Sequence, residues 1–361
     1  VCFSSSFLFV EIRFFGKNFK MENRKVSTMP MRMDIIGGLK GLIKFFLFLP
    51  YATYLLWKKL KQTKTKGEVI LVLPGISDKI ILTPLARILK IPVVWLEFSP
   101  LSDVFKVNFG IPKALYRLVG FLCDTVFIPT NYAKGKLLEE TRLSESKIVL
   151  SSLGIKILTT RKINALLKRS RKMKLDRWKG KRIVTTVSRL QKEKGQDILI
   201  NSISDIRKQV PNVKLLVVGE GADRDRLERI VDEKDIRDFV EFLGFVDESE
   251  KFAILGLTDV FVFPTRWELE GFGLVSLEAM MMRTPVVATD FGPNREVLGE
   301  SALLVEGSKN GLSNGISKLL EDSALRKAYE RKGQKRVQEL SISKTAQTYL
   351  DEFEKILKWK N

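Results

Sequence analysis

Short, continuous, β-branched apolar runs recur along the chain, with helix-like stretches between them. From residue 68 the runs are EVILVL, IPVVWLEF, TVFIPT and KIVLSS. From residue 182 they are RIVTTVS, VKLLVVG, FVEFLG, DVFVFPT, PVVATD and ALLVE. A strand with one face in water alternates apolar and polar residues. These runs do not alternate, so both of their faces need cover. The intervening stretches Ile80–Lys90, Pro112–Cys123, Tyr132–Glu140, Gly195–Gln209, Asp223–Glu233, Glu248–Leu255 and Leu274–Met282 have helical character and supply it. The pattern predicts parallel sheets wound on both sides by helices. The second set, six strands with five connections, is a complete doubly wound unit.

A chain of 361 residues exceeds what one core usually holds, so two domains are expected. The predicted divisions are an N-terminal basic and apolar segment at 1–67, a Rossmann-like domain at 68–155, a basic linker at 156–182, a second Rossmann-like domain at 183–340 and a C-terminal helix at 341–361. Within 1–67, the first twenty residues lack the order of a signal peptide, and Met21 is expected as a start. The apolar run at Leu42–Trp57, broken by Lys44 and Pro50, is short for a spanning helix. A core or surface-docked helix and an interfacial helix are both compatible with it.

The net charge of +20 is concentrated. Residues 1–70 hold thirteen Lys or Arg against four Asp or Glu, and residues 155–182 hold twelve against Asp176 alone. The remainder is neutral, so any anionic partner concerns those two segments. The chain has no histidine, which removes Ser-His and Cys-His nucleophile pairs, histidine bases and histidine-ligated metals. Its two cysteines, Cys2 and Cys123, form no disulfide framework, and Cys123 sits in an apolar run as a core thiol of a reducing compartment.

Ligands of open parallel sheets bind beyond the carboxyl ends of the strands. Three such ends carry chemistry here: RLQKEKG with Arg189 and Lys194, EGAD with Glu220, and TRWELEGFG with Glu270, Gly271, Phe272 and Gly273. The cations, and the free N–H groups of a helix opening at Leu274, suit a diphosphate. Glu270 precedes that helix and Glu278 lies about one turn inside it. Carboxylates accept paired hydrogen bonds from vicinal hydroxyls, so two of them flanking an anion site match the outline of a nucleotide sugar.

With these residues in hand, the region Lys181–Glu306 resembles the retaining glycosyltransferases of family four, in the stretches VSRLQKEKGQDILI, LLVVGEGADRDRLE, VEFLGFVD, DVFVFPT, EGFGLVSLEAM and TPVVATDFGPNREVL, all in family order. Residues 124–155 resemble the end of that family's acceptor domain. The resemblance implies an α/β GT-B fold, two facing Rossmann-like doubly wound domains with an interdomain cleft. It implies transfer from a nucleotide-diphosphate sugar with the anomeric configuration kept, without metal or other cofactor. Arg189 and Lys194 would neutralise the leaving diphosphate, Glu270 would hold the sugar, and Glu278 the ribose. Gly271, Phe272, Gly273, Leu274 and Glu220 would line the donor site, and Val246 would touch the base.

The chain departs from the family in lacking an acceptor-domain histidine, and Glu97 falls near that place. Arg283 and Pro293 stand where glycines are usual, and no first strand with a glycine-rich loop is visible before residue 68. The expected partners are a nucleotide sugar, a glycan or lipid-linked acceptor of the cell envelope, and an anionic membrane surface, with the chain cytoplasmic and peripheral on the inner face. Two other readings stay open. One is a catalytically impaired scaffold. The other is a basic nucleic-acid-binding protein, which the lack of aromatics interleaved with the basic runs disfavours.

Overall fold

A computed structural model describes residues 8–15, 18–25, 35, 38–64 and 69–358. Cys2 lies outside the described residues. The chain divides into two compact units, one of residues 1–152 and 347–361 and one of residues 153–346.

In the first unit, β1 (Leu8–Phe15) and β2 (Asn18–Lys25) pair antiparallel. A parallel sheet follows, made of β3 (Leu71–Leu73), β4 (Val93–Leu96), β5 (Thr125–Ile128) and β6 (Ile148–Leu150) in that order. The continuous apolar runs explain its placement. Leu71, Leu73, Val93, Trp95, Val126 and Ile128 face one cluster, and Ile70, Val72, Val94 and Phe127 face another. The helix Gly38–Lys64 joins the first cluster through Leu42, Phe45, Leu56 and Leu60. The helix Ile342–Lys358 completes the second, with Tyr349, Phe353 and Leu357 packed around Phe127.

The second unit holds the six predicted strands, all parallel: β7 (Arg182–Val187), β8 (Val213–Val218), β9 (Val240–Gly244), β10 (Val260–Phe263), β11 (Val286–Thr289) and β12 (Leu303–Val305). Their spatial order is β12-β11-β10-β7-β8-β9. The chain winds outward from β7 in one direction and then, from β10, in the other. The switch point of this doubly wound sheet therefore lies between β7 and β10, where such sheets open a crevice.

The 156–182 segment, expected as a basic linker, is instead mostly the helix Thr160–Arg177 of the second unit. It packs on the helix Glu248–Leu257. Ser170 Oγ donates to Ala253 O at 2.7 Å, and Lys174 Nζ pairs with Asp259 Oδ2 at 2.7 Å. Leu166 is buried and Ile163 and Leu167 are half-buried at helical spacing, which is the reason the segment docks despite its charge.

Candidate active site

The loops after β7, β8, β9 and β10 are tied to one another through their backbones. Leu190 N donates to Glu220 O at 2.9 Å, Gly219 N to Gly244 O at 2.8 Å, and Arg266 N to Glu193 O at 2.8 Å. Glycine makes the closest approach feasible. At Gly195 φ is +72°, and a Cβ there would stand 2.0 Å from Pro264 O. Gly273, at φ +71°, opens the helix Leu274–Met281 against the Phe263 ring. Gly195 thereby sets the loop after β7 against the end of β10, across the switch point, and Gly273 sets the following helix against β10 itself.

Lys194 and Glu270 meet there. Lys194 Nζ donates to Glu270 Oε2 at 2.7 Å, and both residues are 8% exposed. Thr265 Oγ1 lies 3.4 Å from the same oxygen, and Lys194 Nζ sits 4.5 Å from the centroid of the Trp267 ring. A buried carboxylate and ammonium at this distance are each other's counterion. Arg189 is exposed at the same strand end, its carbonyl accepting from Gln196 Nε2 at 2.9 Å. Gln196 Oε1 and Ser276 Oγ, in the first turns of the two helices that open at this rim, are buried without hydrogen-bond partners.

Glu278, half-buried on its helix, pairs with Lys251 Nζ at 2.7 Å. Glu220 is exposed and its Oε1 lies 3.4 Å from Phe245 N, next to the half-buried Val246. Gly271 is half-buried and Leu274 is 40% exposed at the helix start. Phe272, predicted for the donor site, turns its side chain into the core, so only its backbone faces the loop. Large apolar rings seek burial, and here the ring joins Phe261 and Phe263.

Glu97 belongs to the first unit and is buried at the end of β4. Its Oε1 accepts from Lys79 Nζ at 2.6 Å and from Tyr116 Oη at 2.7 Å. Burial, and then the Glu97 charge, raise the Tyr116 hydroxyl pKa well above its ordinary value. Among the described residues, no group of three or more His, Cys, Asp or Glu could hold a metal ion. A cleft of about 590 Å³ adjoins the Lys194–Glu270 pair along the ends of β10, β11 and β12, lined by Thr265, Arg266, Asp290, Phe291 and Glu306 among others.

Sequence reasoning did not find Lys251, Thr265 or Gln196. Lys251 follows three acidic or polar residues at a helix start and looks like any solvated charge; only its spatial neighbour Glu278 marks it.

Residues 168–336 match the family described as glycosyl transferases group 1. The chain is 32% identical over 148 residues to the GDP-mannose-dependent alpha-(1-6)-phosphatidylinositol monomannoside mannosyltransferase of Mycolicibacterium smegmatis, a match covering 39% of each protein, so it spans only about two fifths of that relative. It is 27% identical to the capsular polysaccharide biosynthesis glycosyltransferase CapM of Staphylococcus aureus, over 88% of this chain and 93% of that one. Among solved structures, Anabaena Alr3699/HepE in complex with UDP superposes with a TM-score of 0.69 at 19% identity, covering 83% of this chain and 82% of that chain. That likeness shows the GT-B fold.

Proposed function

We propose that this chain, which matches the glycosyl transferases group 1 over residues 168–336, moves a sugar from a nucleotide-diphosphate sugar to a cell-envelope glycan or glycolipid acceptor. The observation that carries the reading is the buried Lys194–Glu270 pair at the switch point of the β7–β12 sheet. When the glycosidic bond to the donor breaks, negative charge develops on the departing diphosphate. Lys194, Arg189 and the N–H groups at the start of the helix Leu274–Met281 stabilise that charge where it forms. Glu270, released from Lys194, accepts hydrogen bonds from the sugar hydroxyls, and Glu278 accepts them from the ribose. The donor configuration is retained, and the cations do the work that a metal would otherwise do. The acceptor is lipid-linked and presented at an anionic membrane surface on the cytoplasmic side. The mannosyltransferase relative names a phosphatidylinositol substrate, which supports a lipid acceptor.

A thermal-shift panel of nucleoside diphosphates and nucleotide sugars tests the donor, since ligand binding to the native state raises the unfolding temperature. The bound donor is then offered with lipid-extract acceptors, and the anomeric configuration of the product is read by NMR. Stabilisation by no nucleotide, or binding with no transfer to any acceptor, overturns the reading.

A further inference from the structure

The helix Gly38–Lys64 has two apolar faces, and among the described residues only one is packed into a core. Leu42, Phe45, Ala52, Leu56 and Leu60 are buried at 7% exposure or less in the core of the first unit. On the other side, Leu39, Ile43, Phe46, Leu47, Tyr51 and Tyr54 are 47–70% exposed. Those six recur at three- and four-residue intervals, the spacing of one continuous helical stripe. It extends over four turns, longer than the isolated apolar residues ordinary on a soluble surface.

The charge on the helix says what covers the stripe. The helix contains six lysines and no Asp or Glu. Lys40 and Lys44 are exposed along the edge of the stripe, and Lys58 and Lys61 are exposed beyond its C-terminal end. The two exposed tyrosines have rings suited to the boundary between hydrocarbon and water. Beside the helix, the turn Asn108–Gly110 holds Phe109 at φ +58° with 93% of its surface exposed. The Phe109 ring adds exposed apolar surface beside the helix, on a backbone held in the left-handed region.

We propose that this stripe docks the protein on an anionic lipid bilayer, with the helix lying in the headgroup plane. By length and composition the helix could cross a bilayer. Crossing would pull Phe45, Leu56 and Leu60 out of the protein core, whereas lying flat leaves them in place and buries only what is now exposed. The lysines then meet anionic headgroups while the apolar residues enter the acyl boundary, two contributions of which salt screens only the first. The inference builds on the proposed membrane-surface acceptor, but it concerns docking alone.

The test is co-sedimentation of the full chain with vesicles of phosphatidylcholine alone and of phosphatidylcholine with phosphatidylglycerol, without donor or acceptor. The wild type binds the anionic vesicles, and high salt releases most but not all of it. The Phe46→Glu, Leu47→Glu double variant changes exposed positions only, so its unfolding temperature stays at the wild-type value. Its vesicle binding falls by about tenfold or more, as expected for lost apolar burial and added repulsion. Nucleoside diphosphate affinity, measured in parallel, is unchanged, which separates failure of docking from failure of the donor site. Wild-type vesicle binding that the variant retains overturns the proposal. So does equal binding to both vesicle types, or none. A concentration-dependent dimer of the wild type that the variant dissolves, in place of vesicle binding, assigns the stripe to a second copy and also overturns it.

Discussion

Lys194 Nζ and Glu270 Oε2 are 2.7 Å apart although 76 residues separate them in the chain. Each residue lies in the loop that follows one of the two strands flanking the switch point, and each has little contact with water. Removing one partner leaves the other charged and buried. Lys194→Ala should therefore destabilise the fold by about 3–5 kcal/mol and also abolish tight nucleoside diphosphate binding. Glu270→Gln keeps the shape and a hydrogen-bond acceptor, so its stability cost should be smaller, about 1–3 kcal/mol. Chemical denaturation of both variants and of the double variant measures the coupling. If the single effects simply add, the pair is not coupled.

Arg189 separates binding from stability, because it is exposed at the same strand end. Arg189→Ala should leave the unfolding free energy within about 0.5 kcal/mol of wild type. Its loss of diphosphate affinity and transfer should amount to roughly 1.5–3 kcal/mol, the worth of a hydrogen bond to a charged group. Unaltered transfer kinetics in this variant would remove Arg189 from the site.

Glu278 and Glu270 should fail differently. The Lys251–Glu278 pair is about one-fifth exposed on each side, so Glu278→Gln should cost no more than about 1 kcal/mol of stability. It should still weaken binding of a nucleoside diphosphate, whose ribose it holds. Glu270→Gln should leave that affinity nearly intact and lower sugar transfer. Calorimetry with the nucleoside diphosphate distinguishes the two, and equal losses in both variants would contradict the division of roles.

The strands were legible because each is a short, continuous β-branched run, and a run of that kind has few other ways to bury both faces. Lys194, Glu270 and Glu278 could be singled out because the strand-end rule selects loops before any coordinates exist. That Lys194 and Glu270 would touch was not legible: it depends on Gly195 lying against Pro264, a tertiary contact. The helix Thr160–Arg177 was hidden by its charge, although Ile163, Leu166, Leu167 and Ser170 carry the helical period. The helix Ile342–Lys358 shows its apolar spacing at Tyr349, Phe353 and Leu357, but nothing local states that it covers the β3–β6 sheet of the first unit.

Cys123 supplies the last prediction, a pH dependence with a definite sign. Burial pushes its thiol from the usual 9.0 up to about 12, and its Sγ donates to Gly120 O at 3.1 Å. A pKa raised on folding means that the native state holds the proton more tightly than the unfolded chain does. The associated stability is complete below pH 9 and is lost as pH rises towards 12. Tyr116 is raised by burial in the same direction and adds to the alkaline loss. Lysines also titrate in this range, so the comparison has to be made with a Cys123→Ala variant. That variant is less stable than wild type at neutral pH, through the methyl-sized cavity and the lost contact. Between pH 9 and 11 the gap should close, by at most about 1.4 kcal/mol per pH unit. A gap that stays constant over that range would show that the thiol ionises as freely in the native state as in the unfolded chain.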